Sequence, residues 1–168
     1  MDFRSERTLD QIDWSILREL QADARLSYSQ LGKRVNLSPP AVAERVRRLE
    51  RTGVITGYRA TVSAPRAGIP VSAFVEMDCE PGRCLLSTSE VGDYPEIVEI
   101  HRLTGAHCVM LKVRALSLEH LEGALERIGQ HGKTRVSVVL STQFEGRPVE
   151  AQSHDFTRAS RSDGWSTS

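Results

Sequence analysis

Two features are scarce in this sequence, long apolar runs and cysteines. A membrane-spanning helix needs about 20 consecutive apolar residues, and the chain contains no run of that length. The first residues, Met1 to Arg7, also lack the apolar stretch of a signal peptide. The sequence therefore predicts a protein that does not enter a membrane and has no secretory leader.

The three cysteines, Cys79, Cys84 and Cys108, are odd in number and include no C-x-x-C pair. Small secreted proteins that depend on disulfides carry many cysteines in even numbers. This pattern predicts a protein of the reducing cytoplasm, without a disulfide framework.

The short motifs of common active sites are absent as well. The chain has no H-E-x-x-H metal motif, no C-x-x-C redox motif and no nucleophile elbow. The histidines His101, His107, His120 and His131 form no recognisable catalytic group, and a metal site would need further ligands. We therefore predict no catalytic residue, no metal and no cofactor, which makes an enzyme the weakest interpretation.

The net charge of 0 hides a difference between two parts of the chain. Residues 1–66 carry 12 Lys and Arg against 8 Asp and Glu, whereas residues 67–146 carry 7 against 11. Within residues 26–66 the basic residues outnumber the acidic ones by 8 to 2. The N-terminal part is therefore expected to attract a polyanion, and the middle part to repel one.

Two short helices are predicted before residue 37. Apolar residues recur with helical period over residues 9–20, and Asp10 is placed to cap that helix. Ser27 and Gln30 have the spacing of a capping box, which predicts a second helix. Asn36 follows it, and asparagine tolerates the left-handed backbone of a sharp helix end.

A third helix is predicted after a tight turn, which completes a helix-turn-helix arrangement. Ser38 is a good N-cap, and Pro39 occupies the first helical position, where its missing N–H has no cost. Val42, Val46 and Leu49 recur with helical spacing and predict the buried stripe.

The outer face of the third helix begins with small residues and continues with arginines, which suits insertion into a DNA major groove. On this segment alone, a solvated charged helix is the alternative. The residues predicted to face base edges are Ser38, Pro39, Pro40, Ala41, Glu44 and Arg45, and Arg45 or Arg48 is expected to pair with guanine. The residues predicted to contact phosphates are Lys33, Arg34, Arg47, Arg51 and Arg59.

The domain organisation follows from turn residues and composition. Residues 54–60 predict a small β-hairpin, or wing, and the Pro- and Gly-rich segment around residues 64–70 predicts a junction. The predicted domains are a winged helix-turn-helix domain of residues 1–62, a linker of residues 63–70, a second domain of residues 71–146, and a disordered tail of residues 147–168.

The second domain has the element order β-α-β-β-α-β, which is the ferredoxin-like split βαβ arrangement, so the whole chain is predicted to be α+β. Its helices cover one face of the sheet, and the other face is expected to carry several apolar residues, which predicts a dimer. The predicted strands span residues 71–79, 97–103, 107–115 and 134–144, and the predicted helices span residues 83–91 and the segment between Ser117 and His131.

The chain resembles the Lrp/AsnC, or feast/famine, family of bacterial and archaeal transcription regulators over residues 9–146. The resemblance is carried by residues 9–13, by Leu37-Ser38-Pro39, and by the segments 45–50, 53–58 and 99–105. It implies a winged DNA-binding head and a regulatory domain of the RAM or ACT-like type. It also implies dimers and often octamers, location in the cytoplasm with the nucleoid, and control by amino acids or related metabolites. A nucleoid-organising protein that binds DNA widely is the alternative.

The resemblance further implies an effector site, but this chain departs from the family pattern there. Cys108 occupies a position at which the family often has an acidic residue, and a thiol is a weak partner for the ammonium group of an amino acid. Either a carboxylate from Glu99 or a neighbouring subunit replaces the acid, or the ligand is not a plain amino acid, or Cys108 is a small buried residue in a vestigial pocket. A weak or absent response to aliphatic amino acids is expected. The implied effector residues are Leu103, Thr104, Gly105, Ala106, His107, Cys108, Met110, Val138 and Val139.

Overall fold

The structure is a computed structural model that describes residues 9–79, 84, 85 and 91–151. It divides into two compact units, which we call the head and the sheet domain. The head extends through Ala60 and takes in the chain again from Gly146, and the sheet domain is Thr61–Glu145. The division thus lies close to the predicted end of the first domain. Among the described residues, no helix is both long enough and apolar enough to span a membrane.

The head contains the three predicted helices, α1 (Gln11–Ala22), α2 (Tyr28–Val35) and α3 (Pro39–Arg51). The predicted N-cap Asp10 begins α1 and the predicted capping box at Ser27 begins α2, and Asp10 also forms a capping box, with Asp13. Asn36 ends α2 with a φ of 55°, in the left-handed region. The predicted stripe of α3 is confirmed, because it packs with α1 and α2 into one core. The fully buried residues of that core are Ile16, Leu31, Val42, Val46 and Leu49.

The turn between α2 and α3 depends on a glycine that the sequence patterns did not reveal. Gly32 is buried, and its carbonyl oxygen accepts the backbone N–H of Leu37 at 2.9 Å. A Cβ atom at Gly32 would lie 2.5 Å from the carbonyl oxygen of Leu37. This close backbone approach explains why the corner between the two helices requires glycine.

The predicted wing is wrong for this chain, because residues 52–70 contain no strand. Val54 and Ile55 both donate backbone N–H groups to the carbonyl oxygen of Leu49, and the Tyr58 hydroxyl donates to Glu50 at 2.9 Å. The segment is therefore held against the end of α3. Two strands alone are marginally stable in water, and Thr56-Gly57 lacks the Asn-Gly or Asp-Gly pair that favours a two-residue hairpin.

The sheet domain contains β1 (Val71–Cys79), β2 (Ile97–Arg102), β3 (Val109–Ala115), α4 (Leu118–Gly129) and β4 (Gly132–Val138). Its four antiparallel strands lie in the order β2-β3-β1-β4, which confirms the predicted α+β arrangement. The predicted helix over residues 83–91 lies mostly outside the described residues. The last strand ends at Val138, not at residue 144 as predicted. Val138 is opposite Ala73 and Val139 still donates to Ser72, so in this register residues 141–144 would extend past Val71, where β1 begins.

The two faces of the sheet differ in polarity. The inner face is buried against α4, and its core includes Val75, Leu111 and Ile128. The outer face is less apolar than predicted: of the twelve outer positions given by the strand pairing, seven are charged and two, Phe74 and Met110, are apolar. The outer positions given by the strand pairing are Ser72, Phe74, Glu76, Asp78, Glu99, His101, Met110, Lys112, Arg114, Lys133, Arg135 and Ser137.

Two further details correct the sequence predictions. Cys79 and Cys84 form a disulfide, with Cα atoms 4.8 Å apart, whereas the cysteine pattern predicted a reducing environment without a disulfide framework. Their C-x₄-C spacing brings them together at the end of β1. In the predicted tail, the backbone of Val149 exchanges two hydrogen bonds with the Gln21 side chain, so this residue is ordered against α1. The tail from residue 152 onward lies outside the described residues.

Candidate DNA-binding surface and effector region

Helix α3 presents one exposed stripe on the side opposite its buried residues. Pro40, Glu44, Arg47 and Arg51 follow one another at intervals of four, three and four residues, and all four are exposed. Ser38 and Pro39 are exposed at the start of the helix, and Ala41 is half-buried beside them. We call Pro40, Glu44, Arg47 and Arg51 the outer stripe. It is the part of α3 that can approach a DNA groove.

Arg45 and Arg48, the two arginines predicted to read guanine, are not on the outer stripe. Arg45 Nη1 donates to Asp10 Oδ2 at 2.7 Å and to Asp13 Oδ1 at 2.8 Å. Arg48 Nη2 lies 2.6 Å from both carboxylate oxygens of Asp13. The structure therefore uses both guanidinium groups to hold α3 against the start of α1.

Asp13 is at the centre of this arrangement, which we call the Asp13 clamp (Asp10, Asp13, Arg45 and Arg48). Its carboxylate is 2% exposed, and it also accepts the backbone N–H of Asp10 in the capping box. The Asp13 backbone N–H and then the Arg45 guanidinium hold the pKa of Asp10 below its ordinary value. Asp10 and then Asp13 raise the pKa of Arg45. A buried carboxylate requires such partners, because an unpaired charge would be costly away from water.

The other basic residues of the head remain available for phosphate contacts. Lys33, Arg47, Arg51 and Arg59 are exposed, and no ion pair joins them to another described residue. Arg34 differs, because its Nη1 donates to Glu19 Oε2 at 2.8 Å. Arg59 lies on an extended segment and not on a wing.

The effector residues implied by the resemblance begin with the loop between β2 and β3. Leu103 donates its backbone N–H to the carbonyl oxygen of Cys108 at 2.9 Å, which closes the loop at its base. Thr104, Gly105 and Ala106 are exposed at the tip of the loop. His107 is half-buried, and its Nδ1 lies 2.9 Å from Asp78 Oδ1 on the outer face of the sheet. Met110 is half-buried on β3, two residues after Cys108.

Cys108 uses its hydrogen-bonding capacity on the backbone of β1. Its thiol donates to the carbonyl oxygen of Met77 at 3.2 Å and accepts the N–H of Cys79 at 3.0 Å. The side chain is half-buried and packs against the core. These contacts favour the interpretation that Cys108 is a small structural residue.

Glu99, the carboxylate suggested as a substitute acid, is also engaged. It accepts from His101 Nε2 at 3.3 Å and lies 3.3 Å from Lys112 Nζ. The His101 contact, followed by the Lys112 contact, keeps the pKa of Glu99 below its ordinary value in spite of some burial. An ammonium ligand would have to compete with Lys112 for this carboxylate.

The remaining two implied effector residues lie at the other end of the sheet. Val138 is opposite Ala73, and Val139 donates to the carbonyl oxygen of Ser72, whereas Cys108 contacts Met77. Four residues of extended strand separate Ala73 from Met77, which is about 13 Å. Val138 and Val139 therefore do not join the loop within one chain.

The described residues do not meet the requirements of a metal site. They contain no group of three or more His, Cys, Asp or Glu side chains placed to hold a metal ion. The structural roles of Asp13 and Gly32 were not identified from the sequence. The signal for Asp13 was its apolar flanks, Ile12 and Trp14, both of which pack against the head core.

Two family models match the chain, in order along its length. Residues 9–50 match the AsnC-type helix-turn-helix domain. Residues 72–149 match the Lrp/AsnC ligand binding domain. The first match covers almost all of α1 to α3, and the second covers the strands and α4 of the sheet domain.

Individual relatives agree with these models. The HTH-type transcriptional regulator LrpC of Bacillus subtilis is 40% identical over 79% of this chain and 92% of LrpC. The solved structure of B. subtilis LrpC has a TM-score of 0.78, with 38% identity over 83% of this chain and 100% of that chain. The feast or famine regulatory protein of Mycobacterium tuberculosis complexed with L-methionine has a TM-score of 0.79, with 34% identity over 86% of this chain and 100% of that chain.

Proposed function

The chain belongs to the Lrp/AsnC family of HTH-type transcriptional regulators, and from this premise we propose that it binds double-stranded DNA by placing α3 in the major groove. The predicted family, the α+β fold class without its wing, and the regulatory role are thereby confirmed. Since the relatives compared above are transcriptional regulators, a regulator and not an enzyme is the supported class. The protein works in the cytoplasm, where the chromosome is.

The observation that carries the DNA-binding proposal is the exposed and basic outer stripe. Arg47 and Arg51 lie on it, Lys33 and Arg59 are exposed elsewhere in the head, and none of the four is paired with another described residue. Arginine and lysine side chains in such positions neutralise phosphates and release counterions. The buried side of α3 is fixed by the core and by the Asp13 clamp, so the stripe is presented in one orientation.

Replacing Arg47 with alanine is expected to weaken binding to all DNA sequences to a similar degree. Arg47 has no partner among the described residues, so its main loss is one phosphate contact, and the slope of log K against log salt falls by about one. Fluorescence anisotropy over a salt series, on a specific and a random duplex, measures this slope.

Arg102→Ala is the matched control for that measurement, because Arg102 is an exposed arginine on β2, outside the head. It removes the same charge and should leave the slope unchanged. Equal effects of the two substitutions would show that Arg47 acts only through net charge.

The protein acts as a homodimer, with higher assemblies such as an octamer, and the outer face of the sheet supports this. A two-fold interface must be complementary to itself. The face carries Lys112, Arg114 and Arg135 as well as Glu76 and Asp78, so opposite charges can meet across a two-fold axis. The dimer is therefore supported by complementary charges, whereas several apolar residues were expected on this face from the sequence. Two heads then meet major grooves about 34 Å apart, or a multiple of that distance.

The sheet domain binds a small effector, an amino acid or a related metabolite, at the Leu103–Cys108 loop. The support comes from the ligand binding domain that residues 72–149 match and from the L-methionine complex of the M. tuberculosis relative. Val138 and Val139 are far from the loop within one chain, so they contribute from a neighbouring subunit.

A thermal-shift panel of the standard amino acids at millimolar concentration is expected to show weak or no stabilisation by aliphatic amino acids. The Cys108 thiol hydrogen-bonds to the β1 backbone, and the Glu99 carboxylate is paired with Lys112. The loop therefore has no unpaired carboxylate from these two residues for the ammonium group of an amino acid. A ligand at 100 times its dissociation constant stabilises by about 2.7 kcal/mol, which is readily detected.

A clear shift with leucine or alanine, removed by enlarging Cys108 to leucine, would contradict this expectation. Cys108→Ser is the matched control, because a serine hydroxyl is small and can make the same two backbone contacts, with Met77 and Cys79, that the thiol makes.

A second candidate function is a nucleoid-organising protein that coats DNA with little sequence specificity. The Asp13 clamp favours it, because both arginines suited to reading guanine are held inside the head. Binding would then rest mainly on phosphate contacts, which carry no sequence information. A footprint on a few sites supports the specific regulator, and uniform coverage supports the nucleoid protein.

A further inference from the structure

We propose that Glu44 is the residue through which α3 selects DNA sequence, by accepting a hydrogen bond from the exocyclic amine of a cytosine in the major groove. The inference rests on the proposed DNA binding and narrows it to one side chain and one base. A base contact made by Glu44 would also favour the sequence-specific regulator over the nucleoid-organising protein.

Few side chains at the start of α3 can form hydrogen bonds with a base. The N-terminal residues of a recognition helix contact base edges. From Ser38 to Arg45, three side chains can form hydrogen bonds: those of Ser38, Glu44 and Arg45. The Ser38 hydroxyl accepts the backbone N–H of Ala41 at 3.4 Å, in its role as the helix cap. Arg45 donates to Asp10 and Asp13.

Glu44 is the remaining member of that set. It is exposed on the outer stripe, and no hydrogen bond or ion pair joins it to another described residue. Arg48, four residues further on, would be its usual helical partner, but Arg48 is bound to both oxygens of Asp13. The Asp13 clamp therefore leaves the Glu44 carboxylate free to contact DNA.

The second step is electrostatic. A carboxylate on a surface that approaches phosphates is repelled by them, so Glu44 lowers DNA affinity unless it gains a bond to a base. The neighbouring Arg47 and Arg51 on the same stripe bring α3 close to the phosphates in spite of this repulsion. A residue that disfavours DNA in general and accepts from one particular base has the character of a specificity determinant.

The third step identifies the base. Two groups donate in the major groove, the N4 amine of cytosine and the N6 amine of adenine. The adenine amine lies beside the N7 acceptor, whose lone pair repels a carboxylate. Cytosine presents its amine without that acceptor, and glutamate is a known partner of this group.

The test selects binding sites from a randomised DNA library with four full-length proteins: the unmodified chain, Glu44→Ala, Glu44→Gln and Glu126→Gln. We expect the unmodified chain to require cytosine at one position of each half-site, with another base there reducing affinity by about 5- to 150-fold. Glu44→Ala loses the preference at that position. Glu44→Gln changes it to adenine, because an amide accepts from N6 and donates to N7.

Glu126→Gln is the matched control, because Glu126 is an exposed glutamate on α4 and the change in charge is the same. It should leave the selected sequence unchanged. Glu44 is exposed and unpaired, so thermal unfolding of its variants should match that of the unmodified chain.

Three outcomes would overturn the inference. If Glu44→Ala selects the same sequence as the unmodified chain, Glu44 does not read a base. If the unmodified chain binds DNA in a salt-dependent way but enriches no sequence, the nucleoid interpretation replaces it. If the unmodified chain binds no DNA at all, the proposed function itself fails, which this experiment separates from the other two results.

Discussion

Replacing Asp13 with alanine is expected to lower the free energy of unfolding of the head by about 2–3 kcal/mol. The substitution leaves the guanidinium groups of Arg45 and Arg48 without their shared partner and removes one half of the α1 capping box. Breaking a fully buried ion pair costs about 3–5 kcal/mol, and we expect less because the arginine side chains are 25% and 31% exposed.

Trp14 offers a probe that reports on the head alone, because it packs against the head core. In a Trp165→Phe background it is the single tryptophan of the chain. Urea unfolding followed by its fluorescence gives the stability of Asp13→Ala, and Asp23→Ala, an exposed aspartate after the same helix, is the control. Equal stability of the two variants would show that the Asp13 clamp contributes nothing.

A double-mutant cycle sharpens the result. If Asp13 and Arg48 stabilise each other, the effects of Asp13→Ala and Arg48→Ala should add to more than the effect of the double variant. The same cycle tests the alternative role of Arg48 as a base reader. A purely DNA-contacting Arg48 would leave the stability of the free head unchanged.

The second large effect is expected in the sheet domain, where Gly132→Ala should destabilise it by about 2–3 kcal/mol. Gly132 begins β4 opposite Cys79, and a Cβ atom there would overlap the carbonyl oxygen of Asp78. Since the obstacle is backbone and not a movable side chain, the first pairs of the β1–β4 ladder must separate.

Gly123→Ala is the matched control, because Gly123 lies in α4 with nothing near its hypothetical Cβ atom. Alanine in a helix is favoured over glycine, so this variant should gain about 0.5–1 kcal/mol. Hydrogen exchange of the intact variants, followed at the backbone amides of β1, measures the stability change in Gly132→Ala and in Gly123→Ala. Constant redox conditions keep the Cys79–Cys84 disulfide in both variants. Unchanged exchange in Gly132→Ala would mean that the strand adapts at no cost.

The local features of the head were predictable from sequence because each depends on residues a few positions apart. The capping pairs at Asp10 and Ser27, the left-handed Asn36 and the buried Val42 are all of this kind. The engagement of Arg48 was not, because its partner is 35 residues away. An arginine on a helix has the same local pattern whether it meets a carboxylate or a base.

Features that depend on the whole sheet also escaped prediction. The apolar alternation continues past Val138, but β4 pairs with β1 only as far as Ala73, and a strand continued to residue 144 would extend past the start of β1. The polarity of the outer face was misjudged because the phase of each strand is set by its neighbours, as in β2, where a bulge lies between Ile97 and Glu99.

The absence of space at Gly32 has a consequence for allosteric control. Since α2 and α3 meet backbone to backbone there, and α3 is also fastened to α1 through Asp13, the three helices form a single rigid body. We therefore expect an effector to leave the angle of α3 within one head unchanged. In the dimer proposed above, an effector would then change DNA binding through the separation or the rotational phase of the two heads along the helical repeat of the duplex, a rigid-body form of allostery.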